Sequence, residues 1–318
     1  MNRKKIILPF LLFISFGAFS QSERGIGNIT SLELTEAKDQ IDLLQKHVKK
    51  IKDELRDCRN PSDENHSERD SEPLLKTGKY YALIITVQDY INEESFKDLK
   101  YTRKDGRDLK KVLDTNYEFE EVYILEDPDK EAILKQFNGL KVEVKENDNV
   151  LIFYAGHGEK WNTPKIKEGY WCPKNAEYEN PLTLMNNSEI IFWLKQLRSR
   201  NTLLISDACF GGSIGEDRGV RAPPSAVIQE VYDTPSCQYI SSGTNTTVPD
   251  KSIFIKNLLK ALEENTEIYL SASDLFHKKG LKESYVRSDK EWVHPNFSEL
   301  YEAGHKATGD FIFIKKDK

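Results

Sequence analysis

From Tyr81 onward, apolar runs of strand length alternate with helix-length amphipathic stretches, and this alternation limits the possible folds more than any other feature of the chain. The runs are Tyr81–Val87, Glu121–Leu125, Val150–Phe153 and Leu203–Ser206, with helix patterns between them at Asp105–Leu113, Lys130–Leu140 and Glu189–Leu197. Repeated strand–helix–strand order predicts an α/β domain: a mostly parallel sheet with helices on both faces. Beyond a Gly/Pro-rich stretch at 211–224, a further strand is expected at Gln238–Ser241, helices at Ser252–Glu264 and Ser271–Lys279, and a last strand at Phe311–Ile314.

In such sheets the carboxyl ends of the strands open onto the crevice where ligands bind. Two of these ends carry reactive side chains: Tyr154-Ala155-Gly156-His157-Gly158 follows one apolar run and Asp207-Ala208-Cys209-Phe210-Gly211-Gly212 follows another, with 52 residues from histidine to cysteine. A thiol whose proton an imidazole can take or hold will attack a carbonyl. The flanking glycines let backbone N–H groups approach a developing oxyanion. An isolated buried cysteine is ordinarily inert packing, and an isolated histidine ordinarily structural. The weight lies in the conjunction of strand end, glycine and spacing.

The start of the chain reads differently. Arg3, Lys4 and Lys5 precede an apolar stretch from Ile6 to Phe19, and Ala18-Phe19-Ser20 supplies a cleavage pattern before Gln21, so residues 1–20 are expected to be a signal peptide. The alternative is an uncleaved anchor, but roughly 14 apolar residues fall short of the ~20 that span a bilayer, which argues against stable membrane insertion. Loss of the leader would take the net charge from −6 to −9, a balance that argues against nucleic acid as a partner. The expected location is secreted or periplasmic.

Leu34, Ala37, Ile41, Leu44, Val48, Ile51 and Leu55 form a heptad-like seam, and Thr30 with Glu33 makes a capping box ahead of it. Residues 28–57 are therefore expected to be an amphipathic, coiled-coil-like helix. Its seam over 34–55 would suit a homo-oligomer or packing on the body of the protein. Residues 58–78 read as a polar linker and 79–318 as the main domain. Cys58, Cys172, Cys209 and Cys237 allow one disulfide at most if Cys209 stays reduced, and their spacing contains no zinc-type pair.

At the His157 and Cys209 segments the sequence resembles the caspase-like cysteine peptidases, the superfamily of caspases, metacaspases and paracaspases, in its bacterial form. The caspase signature Q-A-C-[RQG]-G, with its histidine about 50 residues upstream, stands here as D-A-C-F-G-G. Further matching segments are Tyr239-Ile240-Ser241-Ser242-Gly243-Thr244, Ser252-Ile253-Phe254, Ala272-Ser273-Asp274-Leu275-Phe276 and Gly309-Asp310-Phe311-Ile312-Phe313. The resemblance implies a caspase-like sandwich with a large-subunit-like half at 79–212 and a small-subunit-like half at 225–318. It also implies Cys209 as nucleophile, His157 as acid/base, and the N–H groups of Gly158 and Cys209 as oxyanion donors.

Asp207 stands where animal caspases carry a glutamine. In metacaspases that position is acidic and the pocket takes Arg or Lys, with a second acid that corresponds here to Asp105. The plainer alternative is that Asp105 caps its helix and Asp207 bonds backbone at a strand end. The loop 213–224 offers Arg218 and Arg221 as autoprocessing sites, or is a solvated loop that is never cut. No cofactor is required by the dyad. Some metacaspases need calcium, for which Glu216 and Asp217 are the ligand candidates. Trp161–Glu179 is a long insert, with Trp171 and Cys172, expected to border the cleft. The sequence thus points to a cysteine endopeptidase acting on protein or peptide substrates after Arg or Lys. The rival reading is a catalytically silent scaffold assembled through the N-terminal helix.

Overall fold

The apolar run Tyr80–Thr86 forms strand β1 and is buried at every residue. So are β3 (Asn149–Ala155), β7 (Asn201–Asp207) and β8 (Ser236–Ser241). Burial without alternation is what a strand covered on both faces requires. In β2 (Glu121–Glu126) only Val122 is fully buried, as befits an edge strand. The computed structural model describes residues 75–163, 167–208, 228–243, 252–287 and 292–317. The chain divides into two units, Met1–Glu72 and Pro73–Lys318, and all described residues belong to the second. The expected leader, the 34–55 seam and Cys58 lie outside them.

The six-stranded sheet has the order β12-β8-β7-β3-β1-β2. All neighbours are parallel except β12 (Asn296–Glu299), which runs antiparallel to β8. Alternate strand residues feed two cores. Ala82, Ile84, Phe153 and Ile205 pack under α1 (Thr102–Asn116) and α5 (Ile253–Glu263) through Leu109, Leu113, Phe254 and Leu258. Leu83, Ile85, Ile152 and Leu204 pack under α2 (Lys130–Glu143) and α3 (Asn187–Gln196) through Ile133, Phe137, Ile190 and Leu194. The expected sheet with helices on both faces is therefore what forms.

Side chains fix most helix starts. Asp129 accepts from Ala132 N–H at 2.8 Å, Asn186 from Glu189 N–H at 2.7 Å, and Ser252 from Ile255 N–H at 3.2 Å. α1 has no such cap. Its first turn instead sits tightly on β1, since a Cβ at Gly106 would strike the side chains of Thr86 and Ile84. In α4 (Ile228–Asp233), Tyr232 Oη accepts from Gly78 N–H and Asn149 Nδ2, both at 2.9 Å. Leu75 is buried as well, so the residues just before Lys79 already pack on the body.

Three features depart from the expected pattern. β12 is a sheet strand that the apolar runs do not reveal. The last strand, β13 (Ile312–Ile314), is not in the main sheet but pairs with β9 (Tyr269–Ser271). Described residues of the insert at 161–179 join an antiparallel sheet of β4 (Gly158–Asn162), β5 (Lys167–Trp171) and β6 (Met185–Asn186). The remaining elements are α6 (Ala272–His277), started by Ser271, and a short hairpin of β10 (Val286–Arg287) and β11 (Trp292–Val293). Cys172 and Cys237 are buried, and burial pushes the Cys237 thiol up to about 12. Among the described residues no helix is long and apolar enough to cross a membrane.

Asp310 ties the C-terminal segment to the sheet and carries a stability cost. Its Oδ1 accepts from Gln238 Nε2 at 3.0 Å, and Gln238 Oε1 accepts from Phe311 N–H at 2.9 Å. Burial pushes the carboxyl up to about 6 against partial relief from Ser273 and Gln238. A folded-state value above the unfolded one means stability that is full below about pH 4 and lost as the pH rises through 6. Asp310→Asn keeps the accepting oxygen without the charge. It should raise unfolding stability at neutral pH by on the order of 2 to 3 kcal/mol, and leave it unchanged near pH 4, measured as urea midpoints across pH.

Candidate active site

The parallel register brings the strand ends flush: Glu126, Thr86, Ala155 and Asp207 form one row across β2, β1, β3 and β7. His157 lies two residues past the end of β3. Gly156 before it is required by close approach, because a Cβ there would come within 2.8 Å of Tyr154 Oη and 3.2 Å of Tyr90 Oη. The backbone of His157 is then held on both sides. Its N–H donates to Tyr90 Oη at 2.8 Å, and its carbonyl accepts from Tyr154 Oη at 2.7 Å and Cys172 N–H at 3.1 Å. Tyr154 stacks flat on Trp171, with ring centroids 4.3 Å apart. The insert thus backs the histidine directly.

The half-buried imidazole rests against Tyr90 and Phe96, at centroid distances of 5.0 and 5.8 Å. Its Nε2 lies 2.8 Å from the carbonyl oxygen of Lys97. A carbonyl has no proton to give, so Nε2 carries the hydrogen, which in the neutral ring leaves the basic lone pair on Nδ1. Tyr90, Phe96 and Lys97 all come from the segment 87–99 after β1, and the sequence alone does not single them out. Lys97 acts through its backbone, which no side-chain pattern encodes. Two aromatic residues inside a loop rich in acidic and amide side chains are the available hint for Tyr90 and Phe96.

Gly158 opens β4 opposite Trp171. Because the neighbouring pair His157 and Cys172 is hydrogen-bonded, Gly158 and Trp171 form a non-bonded pair, and the N–H of Gly158 points away from β5. Asp207 ends β7, one strand over from His157, and Gly156 N–H approaches its carbonyl at 3.5 Å. The Asp207 side chain is buried, with Oδ1 sealed from solvent and lacking a hydrogen-bond partner. Burial holds its carboxyl above the usual range, with the hydroxyls of Ser242 and Ser252 offsetting part of that.

Asp105 is half-buried in the first turn of α1, beside the end of β1, and its N–H donates to Tyr101 O at 2.9 Å. β1 and β7 are separated by β3 alone, so the end of β7 that carries Asp207 and the end of β1 stand about 10 Å apart by strand spacing, with Asp105 on the helix that follows β1. Cys209, the loop 213–224 with Arg218 and Arg221, and the calcium candidates Glu216 and Asp217 lie outside the described residues. Among the described residues no group of three or more His, Cys, Asp or Glu side chains could hold a metal ion.

Solved structures similar to this one include caspase-1 from Spodoptera frugiperda, at 16% identity and a TM-score of 0.50 over 76% of this chain and 93% of that one. Another is a protein from Geobacter sulfurreducens, at 17% identity and a TM-score of 0.49 over 70% of this chain and 94% of that one. At this identity the insect enzyme speaks to the fold alone, and it identifies the sheet and its two helical layers as a caspase-like sandwich. No curated protein matches the chain. The family model described as the caspase domain matches residues 79–282. That match spans well over half of the sequence, and the chain belongs to the caspase domain family of peptidases.

Proposed function

We propose that the protein is a cysteine endopeptidase that cuts peptide chains after arginine or lysine, with His157 and Cys209 as the reacting pair. The observation that carries this reading is the bond from His157 Nε2 to the Lys97 carbonyl. It fixes the tautomer in which Nδ1 takes a thiol proton. Once charged, the imidazole is stabilised by the same carbonyl. The Cys209 thiolate then attacks the substrate carbonyl, and the oxyanion is met by N–H groups of Gly158 and Cys209. The Nδ1 proton passes to the leaving amine. Water, activated by the same nitrogen, releases the acyl group.

The preference for a basic residue rests on Asp207. A sealed carboxylate oxygen without a hydrogen bond is costly unless a cation arrives, and an Arg or Lys side chain would supply one, with Asp105 as the second acid. The same preference makes Arg218 and Arg221 the expected self-processing sites. The leader at 1–20 supports a secreted or periplasmic location, and the 34–55 seam supports self-association.

Chloromethyl ketone peptides ending in Arg, Lys or Asp test the reading, with labelling located by mass spectrometry in the presence and absence of calcium. The Arg and Lys probes should modify Cys209 and the Asp probe should not. No modification of Cys209 by any probe would favour the silent-scaffold reading. Modification by the Asp probe alone would exclude the basic pocket.

A further inference from the structure

We infer that Asp127 is a positioning residue for His157, acting through the segment 87–99; this deepens the peptidase reading above and rests on it. That segment supplies Tyr90 Oη to the His157 N–H, the rings of Tyr90 and Phe96 to its imidazole, and the Lys97 carbonyl to its Nε2. Val87, Tyr90 and Phe96 of this segment are buried and Ile91 N–H donates to Lys174 O at 3.0 Å, but its start, outside the sheet ladder, needs a further reason to stay in place.

Asp127 supplies that reason. It follows β2, and its own N–H donates to Thr86 O at 2.7 Å. Its φ is +48°, in the left-handed region. Aspartate tolerates that region better than most residues, although Pro128 after it makes the conformation less favourable still. The turn aims the carboxylate back across the end of β1. There Oδ1 accepts from Gln88 N–H at 2.6 Å and from Asp89 N–H at 3.1 Å. Oδ2 accepts from Arg103 Nε at 2.7 Å, and Arg103 also pairs with Asp89. The Asp127 side chain is only 10% exposed, so water cannot readily replace it.

The base of the segment is closed by Leu99 N–H to Gln88 O at 2.8 Å, and Asp98 Oδ1 accepts from Tyr90 N–H at 2.8 Å. One carboxylate therefore fixes the second and third residues of the segment that reaches His157 from outside β3–β5. Among the described residues, the ionisable groups that meet His157 are Tyr90 from this segment, Tyr154 from β3 and Cys172 after β5. Asp89 and Arg103 surround Asp127 itself. Losing the anchor would let the Lys97 carbonyl drift from Nε2. A misplacement of ~1 Å costs about 10²-fold in rate, and a weaker bond to Nε2–H makes Nδ1 a poorer base.

The test uses the full chain carrying Asp127→Ala or Asp127→Asn. It measures turnover of an Arg-terminated peptide across pH and the rate at which iodoacetamide alkylates Cys209. Asp127→Ala should lower kcat by about 30-fold, with KM changed less than about twofold, within that misplacement cost. The alkaline limb of the kcat/KM profile should move to lower pH and Cys209 alkylation near neutral pH should slow. Asp127→Asn keeps an oxygen for Gln88 and Asp89, so it should recover most of the rate and the limb. A folded Asp127→Ala with an unmoved limb overturns the proposal, whatever its kcat. Should that variant not fold, Arg103→Ala must show a smaller loss with the same direction of limb movement, and wild-type behaviour there overturns the proposal instead. A wild-type protein without Cys209-dependent turnover would refute the peptidase reading, while the alkylation profiles would still decide the role of Asp127.

Discussion

Replacing His157 with alanine should lower kcat/KM on an Arg-terminated peptide by about 10³-fold, within the range that a positioned acid/base contributes. Cys209→Ala should lower it to background, because no other nucleophile is expected to form the acyl intermediate. The double variant should be no worse than Cys209→Ala alone, since a nucleophile and its base act as one unit and their losses do not add. The geometry gives a reason to expect the large histidine effect. Its ring is fixed by the Lys97 carbonyl at Nε2 and flanked by Tyr90 and Phe96, and its backbone is bonded on both sides. A histidine held in one tautomer and one orientation has already met the ordering cost of catalysis. Steady-state kinetics on the purified variants check this, and a His157→Ala protein retaining a tenth of wild-type activity would remove His157 from the mechanism.

How far the sequence discloses this arrangement depends on whether an element is specified by side chains. Three of the four central strands are legible because two-sided burial demands apolar runs, and β1, β3 and β7 carry such runs. The ends of β3 and β7, and hence the neighbourhood of His157 and Asp207, follow from them. β12 is hidden because Asn296-Phe297-Ser298-Glu299 contains one apolar residue, yet Phe297, Ser298 and Glu299 are all buried. Its pairing with β8 lies in backbone bonds. β13 is misleading for the opposite reason: Ile312-Phe313-Ile314 is as apolar as a sheet strand, but it fills the core beside α5 and pairs with β9 instead. At the site, the histidine is readable and its support is not. The Lys97 carbonyl is main chain, and Asp127 reads as an ordinary loop acid until its positive φ and its two amide donors are seen together.

Asp207→Asn should separate activity from stability by moving them in opposite directions. An arginine side chain entering beside Asp207 would meet a buried carboxylate, and a buried ion pair broken by removing one partner costs about 3 to 5 kcal/mol. At about 1.4 kcal/mol per factor of ten, kcat/KM for Arg-terminated peptides should fall on the order of 10²- to 10³-fold. Peptides with an uncharged residue at that position should be affected far less. The free protein should gain. The Asp207 carboxyl is held above its ordinary range chiefly by burial, so its contribution to stability is full below the unfolded value and is lost as pH rises through the folded one. Asparagine removes that loss. The melting temperature of Asp207→Asn should therefore exceed wild type at neutral pH and match it in acid, where the wild-type carboxyl is already neutral. A variant that merely damaged the fold would lose both activity and stability. If Asp207→Asn melts lower at neutral pH, or still cleaves after arginine at the wild-type rate, Asp207 serves the strand end and not the substrate.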